Sequence, residues 1–373
     1  MAYVEPRKSG FLGIYRDEFG KKKSKKFDTE AEALQWAELQ EMAIAGGTST
    51  GRASLVSDYA AVWNEREVRY RASTMTTLNQ LIDARILPSL GDVPVRKLSK
   101  RMVQGWVYEM HGDGLMPSTI TKTLGALRKI MAEVVRDGVI EVDPAADIVV
   151  PKVERAEQVF LTGPQLSLLI EEAGKLEYHV GSAVSSMGDY AALVATLGMC
   201  GLRISEAAAL RMDSVKIDPT TGARVLMVRE GLTVSGGKLV RSELKTNQAR
   251  RDVPVPDQVW EQVERYLEWS NRDFEALGIE RPRLFMSPRR TPVKGKYVDR
   301  DCIRRVLAEH PELPSHMRVH DLRHTAVSLW IDAGYDPVAV ARLAGHKSVS
   351  VVLDTYAHLW PNRLTGQMKD LRI

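Results

Sequence analysis

Cysteine is nearly absent from this chain: Cys200 and Cys302 are the only two in 373 residues. Their spacing matches no zinc site and makes no disulfide framework, so a reducing compartment is the expected setting. Long uninterrupted apolar runs are missing as well, and with them any membrane span. The first residues, M-A-Y-V-E-P-R-K, lack the apolar core of a signal peptide. These absences predict a soluble protein of the cytoplasm. The chain also has no metal-ligand cluster and no nucleotide-binding loop, so neither a metal nor another cofactor is expected.

What is present is an ordinary globular composition, 44% hydrophobic and 27% charged. A chain of 373 residues is too long for one core, which predicts two or three domains. The net charge of +4 permits a nucleic-acid partner without requiring one. Its distribution says more. One basic cluster, G-K-K-K-S-K-K, runs from Gly20 to Lys26, and a second runs from Arg281 through Arg289, Arg290, Lys294, Lys296 and Arg300 to Arg305.

The chain opens with a strand around Phe11 to Arg16, a turn at Asp17 to Gly20 and a second strand from Lys22 to Phe27. Asp28-Thr29 then caps a helix over Glu30 to Leu39, with Ala33, Leu34 and Ala37 inward and Trp36 at the margin. Lys22, Lys23 and Lys25 suit a small DNA-reading sheet, or equally a solvated basic edge strand. Ala45 to Gly51 reads as a linker. Helices are then predicted over Leu55 to Glu67, Ser73 to Leu87, Ser99 to Met110 and Ser118 to Arg136, with Ser99 and Ser118 as N-caps. In the last of these Ile120, Leu124, Leu127, Met131 and Val134 form the buried stripe. Lys122, Thr123, Arg128 and Lys129 fall opposite, a phosphate-contacting face or simply a solvated one.

Asp143-Pro144 and Pro151 to Arg155 look like a hinge. Beyond it, Thr162 and Gln165 form a capping box ahead of an apolar run. Helices dominate from there, apart from strands at Val225 to Val228, Lys238 to Val240 and Val253 to Val255, with Gly236-Gly237 as a hairpin signal between the first two. The tail, Leu364 to Ile373, repeats apolar residues at helical intervals, suited to docking on a neighbouring subunit or on its own domain.

Six residues carry the chemistry. Arg203 stands in C-G-L-R-I-S-E, Lys245 in L-K-T-N-Q-A-R-R, His320 and Arg323 in H-D-L-R-H, His346 in A-G-H and Tyr356 in D-T-Y-A-H. Breaking a phosphodiester without metal or activated water needs an in-line nucleophile, a home for its proton, cations on the non-bridging oxygens and an acid for the leaving alkoxide. Arginine grips phosphate through a planar fork that stays protonated. Asp336-Pro337 starts one helix and Gly345 ends it, which puts His346 just past a helix end. Taken singly, each residue has a plainer reading. Arg203 and Glu206 would make an intrahelical ion pair, and Lys245 a solvated hairpin charge. His320 and His324 would suggest a metal site on one helix face, though no third ligand accompanies them, and Tyr356 would be a core tyrosine. The conjunction is what points to phosphodiester cleavage.

In these motifs the chain resembles the tyrosine recombinase (phage integrase) family. C-G-L-R-I-S-E resembles its first box, L-K-T-N-Q-A-R-R-D-V-P-V its β-hairpin lysine motif, and H-D-L-R-H, L-A-G-H and T-Y-A-H its second box. The resemblance implies a mainly α multidomain fold in three parts. These are an arm-DNA-binding-like sheet and helix unit over 1–45, a four-helix SAM-like core-site-binding domain over 53–142, and an α-rich catalytic domain with a small antiparallel sheet over 160–373. It further implies that Tyr356 forms a 3′-phosphotyrosine, Arg203 and Arg323 hold the phosphate, and Lys245 protonates the leaving 5′-oxygen. His320 would handle the tyrosine proton, His346 would bond the phosphate, and Glu206 would support its neighbours. Implied partners are double-stranded attachment sites, three further copies of the chain, a host DNA-bending protein and an excision directionality factor, in the nucleoid of a bacterial host. A multimer resolvase and a catalytically silent DNA-binding regulator are the alternatives. Two departures from the family pattern stand out: Cys200 where a threonine is usual, and Ala249 where a serine is usual. Neither removes a catalytic group.

Overall fold

The structure, a computed structural model, describes residues 2–7, 9–17, 20–45, 54–152, 158–180, 183–186, 189–235, 238–244, 247–276, 278 and 280–360. The chain divides into two compact units, Met1–Arg155 and Ala156–Ile373. No described helix is long and apolar enough to cross a membrane.

The first unit begins with an antiparallel sheet of β1 (Tyr3–Arg7), β2 (Gly10–Arg16) and β3 (Lys22–Phe27), backed by α1 (Glu30–Ala45). Strand β1 was not foreseen; it pairs along β2 from Tyr3 opposite Ile14 to Arg7 opposite Gly10. Its proline, Pro6, is tolerated because β1 lies at the sheet edge. Trp36 wedges between sheet and helix, 5.3 Å from the Tyr15 ring and 5.5 Å from Phe27. Ala33 and Ala37 are fully buried, whereas Leu34, expected inward, is exposed.

Helices α2 (Val56–Arg66), α3 (Ala72–Leu81), α4 (Leu87–Leu90), α5 (Lys100–Gly112) and α6 (Pro117–Arg136) form a bundle around Tyr59, Trp63, Trp106 and the α6 stripe. Between α3 and α4 the chain widens into a π-turn over Ile82–Ile86. Pro88 lacks an N–H and would crowd the carbonyl four residues back, and the wider turn absorbs that conflict. Ser99 caps α5, its hydroxyl accepting from the Met102 amide at 3.3 Å. Ser118 is not a cap: α6 starts at Pro117 with Met116 in the capping place, proline being favoured at a first helical position. Thr123 also differs from expectation. Three residues after Ile120 and four before Leu127, it lies within the buried stripe, and its hydroxyl donates to the Thr119 carbonyl at 2.9 Å.

In the second unit α7 (Gly163–Lys175) starts at the expected capping box, with Thr162 and Gln165 bonding each other's amides. The centre is α8 (Asp189–Cys200), whose described face residues from Tyr190 to Leu197 are buried on every side. A helix apolar all round belongs inside a core, and α7, α10 (Asp257–Ala276) and α13 (Asp321–Asp332) pack about it. Short α9 (Ile204–Ala207) follows α8. An antiparallel sheet orders β10 (Arg251–Pro254), β7 (Arg224–Val228) and β6 (Val215–Ile217). Two hairpins stand apart, β4 (Glu177–Val180) with β5 (Ala183–Ser186), and β8 (Glu230–Ser235) with β9 (Lys238–Glu243). Strands β4, β5, β6 and β8 were not foreseen. Strand β9 therefore pairs with β8 and not with the Val225 strand, which lies between β10 and β6. Residues 236–237, the predicted turn, lie outside the described residues, as do most of the 45–51 linker and the tail from 361. Helices α11 (Gly295–Val298), α12 (Arg304–Glu309), α14 (Pro337–Ala344) and α15 (Val349–Tyr356) complete the unit.

Candidate active site

Chain reversals place the charged side chains. Helix α8 ends at Cys200, and Gly201 turns the chain at φ 64°, a left-handed conformation. A Cβ there would lie 2.5 Å from the Trp330 indole, so glycine answers both the turn and the close approach. Arg203 follows as the N-cap of α9. Glu206, three residues on, accepts from the Arg203 amide at 3.0 Å and from its Nη1 at 2.7 Å.

The expected Arg203–Glu206 ion pair is thus present, but it is part of a larger device. Glu206 is only 1% exposed, and its Oε2 also accepts from Arg251 Nη2 at 2.9 Å. Burial pushes the Glu206 carboxyl up, yet Arg251, Arg203 and Arg323 outweigh it and leave the pKa below the usual carboxylate value. Arg251 was missed from sequence. It donates to Leu343 O at 2.6 Å and to Ala249 O at 3.2 Å, so one buried guanidinium ties the end of the lysine motif to Glu206 and to the end of α14. The available signal was strand alternation, since Arg251, Val253 and Val255 all point inward.

Arg323, on α13, is 2% exposed. Its Nη1 donates to Gly201 O at 2.6 Å and its Nη2 to Ala344 O. It thereby joins the turn that leads into Arg203 to the helix end that leads into His346. Burial, then the nearby Arg203 charge, lowers its pKa to about 9. Arg203, Arg251 and Arg323 share a single buried carboxylate, so the site carries surplus positive charge suited to an anion. Gly345 closes α14 at φ 63°, and His346 follows. Burial first, then Arg323, Arg203 and Arg251, pulls the His346 pKa to about 4, and its buried Nδ1 has no partner among the described residues. An open cleft of about 570 Å³ beside it is lined by Arg229, Arg250, Arg342 and Lys347 as well.

Tyr356 ends α15 and is 1% exposed. Burial raises its hydroxyl to about 12 against the pull of Arg323 and Arg203. Its hydrogen bond goes to His324 Nδ1 at 2.5 Å, a residue that sequence reading had set aside. His320 is the N-cap of α13, its ring 5.0 Å from that of His324 and nearly perpendicular. Desolvation, then His324, Arg323 and Arg203, lowers the His320 pKa to about 4. No group of three or more metal-ligating side chains occurs among the described residues. Lys245 lies outside them; Leu244 and the Asn247–Ala249 turn flank it.

Of the two departures from the family pattern, Cys200 and Ala249 are both buried, and the Ala249 group that matters is a backbone carbonyl. Among the predicted DNA-contacting residues, Lys22, Lys23, Lys25 and Lys122 are exposed. Arg128 donates to Ala145 O at 2.9 Å and Lys129 to the Tyr70 hydroxyl at 2.6 Å.

Comparison with known proteins identifies the family and the fold. A match to the phage integrase family spans residues 160–363, more than half the chain, and one to the phage integrase N-terminal SAM-like domain spans 56–111. The chain belongs to the phage integrase family, the tyrosine recombinases. It is similar to the tyrosine recombinase XerC of Alcanivorax borkumensis, with 26% identity over 75% of this chain and 80% of that one. It is also similar to the ICEBs1 integrase of Bacillus subtilis, with 22% identity over 90% and 86%. A solved Tn1549 transposon integrase in complex with transposon right end DNA shares the fold, with TM-score 0.69 and 21% identity over 85% of this chain and 99% of that one. A lambda integrase dimer bound to a core site does so with TM-score 0.56 and 15% identity over 96% and 95%.

Proposed function

We propose that this DNA recombinase is a site-specific integrase that cuts and rejoins attachment-site duplexes through a 3′-phosphotyrosine on Tyr356, without metal or ATP. The observation that carries the reading is the pair of hydrogen bonds that Arg323 donates to Gly201 O and Ala344 O, which draws the segments leading into Arg203 and His346 around one cationic point whose charge Tyr356 also feels. Arg203 and Arg323 hold the non-bridging oxygens, and His346 Nδ1 adds a hydrogen bond. The phenol attacks phosphorus, the P–O5′ bond breaks, and Lys245 protonates the departing 5′-oxygen. A histidine of the H-D-L-R-H segment receives the phenolic proton. Glu206 positions Arg203. Because the covalent link conserves the phosphodiester bond energy, a 5′-hydroxyl from a second duplex reverses the step with no other energy source.

Two duplexes need four protomers, the assembly in which lambda integrase is seen on a Holliday junction. Residues 53–142 would clamp the core site, with Lys122 nearest to free, and 1–45 would read arm DNA through Lys22, Lys23 and Lys25. A host bending protein and an excision factor would act with that arm assembly, in the cytoplasm at the nucleoid. The XerC likeness supports a resolvase as second reading, but the sheet before residue 56, where the family matches begin, favours the integrase.

A nicked suicide substrate tests the proposal. Wild-type protein should trap a covalent adduct that maps to Tyr356, and Tyr356→Phe should bind the same DNA without forming it. An adduct on the phenylalanine variant overturns the assignment. Deleting 1–45 should impair recombination of full attachment sites more than cleavage of a bare core site; equal losses remove the arm-binding role.

A further inference from the structure

Two histidines one helical turn apart are available to the nucleophile, and the geometry separates them. The Tyr356 hydroxyl bonds His324 Nδ1 at 2.5 Å. The His320 ring stands nearly perpendicular to that of His324, at the exposed N-cap of α13, where it feels the charges of Arg323 and Arg203. Phe160 walls the contact, its ring 6.3 Å from the His324 ring and 6.2 Å from Tyr356. That wall is fixed by its neighbour: the Leu161 amide donates to Thr325 Oγ1 at 3.1 Å, and this hydroxyl donates to Asp321 O at 2.9 Å. An apolar ring beside the bond keeps water from competing for the proton.

Given Tyr356 as nucleophile, the reading proposed above, we propose that His324 and not His320 is the catalytic base that takes its proton. The Tyr356 O–H bond breaks and an N–H bond forms at His324 Nδ1 as the phenolic oxygen bonds phosphorus; the reverse transfer restores the phenol when the strand rejoins. The leaving 5′-oxygen draws its own proton from elsewhere, so each step balances. Burial raises the phenol while desolvation, with Arg323 and Arg318 against Asp321, lowers the imidazole. Both groups are therefore neutral at rest; the His324 tautomer with a bare Nδ1 accepts from the phenol, and the proton moves only as bonding to phosphorus makes the oxygen acidic. His320 is left to face the phosphate.

Adduct formation under single-turnover conditions tests this with His324→Ala and His324→Gln, the second preserving size and hydrogen bonding without taking a proton. Both should bind DNA, and His324→Gln, which keeps a partner for the buried hydroxyl, should melt near wild type, yet both should slow the adduct step by roughly 10²–10⁴-fold, the usual share of a general base. Difluorotyrosine at position 356, a more acidic phenol, should recover at least tenfold of that loss. A 5′-bridging phosphorothiolate substrate, whose leaving group needs no proton, should recover none. An unchanged or faster rate in the variants overturns the assignment, as does a loss that difluorotyrosine leaves intact or that the phosphorothiolate relieves. These outcomes are read against wild-type adduct on Tyr356, so they fail separately from the choice of nucleophile.

Discussion

Replacing Arg251 with methionine keeps the stem and deletes a guanidinium whose side chain is 4% exposed. Three acceptors lose a donor: Glu206 Oε2, Leu343 O and Ala249 O. Removing one partner of a buried ion pair costs about 3–5 kcal/mol, mainly because the remaining charge stays desolvated. Each orphaned carbonyl adds about 1–3 kcal/mol unless water reaches it. Arg203 still holds Glu206 Oε1 at 2.7 Å, which moderates the first figure. A total of about 3–5 kcal/mol is therefore expected, and at about 2–4 °C per kcal/mol for a unit of this size the catalytic unit should melt about 6–20 °C lower. Calorimetry on Arg251→Met, Glu206→Gln and the double variant measures it. Neutralising Glu206 in the methionine background removes the unpaired charge, so the double variant should lose at least about 1 kcal/mol less than the sum of the singles. A methionine variant within about 2 °C of wild type, or strictly additive losses, would refute the view that Arg251 is the clamp.

Gly345→Ala forces a side chain into φ 63° with its Cβ 2.9 Å from Arg251 Nη1; a loss of about 1–3 kcal/mol is expected in urea unfolding, with slower adduct formation as the His346 turn shifts. His320 and His346 have pKa values near 4 when folded against an ordinary 6.5. Between those values the unfolded chain binds protons that the folded chain refuses, so stability should fall as pH drops from 6.5 toward 4. His346→Asn should flatten that slope, measured as unfolding midpoints across the window; an unchanged slope counts against the shift. Glu206 acts lower: its stabilisation is complete above its ordinary 4.5 and is lost as pH falls through its depressed value, a dependence Glu206→Gln should abolish.

Local grammar was legible in the sequence because its causes are local. The stripe of α6, the caps at Ser99 and Thr162, and the Asp336-Pro337 start and Gly345 stop of α14 each rest on residues within a turn or two. Thr123 shows the limit: a hydroxyl reads as polar until its bond to the carbonyl four residues back makes it fit for a core. Strand β1 was obscured by Pro6, and β4, β5 and β6 by their shortness, since three or four residues carry no clear period. Motif order singled out the arginines, His346 and Tyr356 as candidates, and the structure brings these side chains near one another. Arg251 and His324 escaped because their meaning lies in partners on remote segments, Leu343 for one and Tyr356 for the other.

The arginine proposed to grip substrate is also a rivet in the fold, since Arg323 closes two chain ends through their carbonyls. Selection cannot tune its grip without loosening the protein around it. Alleles that occupy a target and block it without cutting should therefore arise at Tyr356, whose hydroxyl bonds a single imidazole, and seldom at Arg323. New target preferences should accumulate in residues that touch neither.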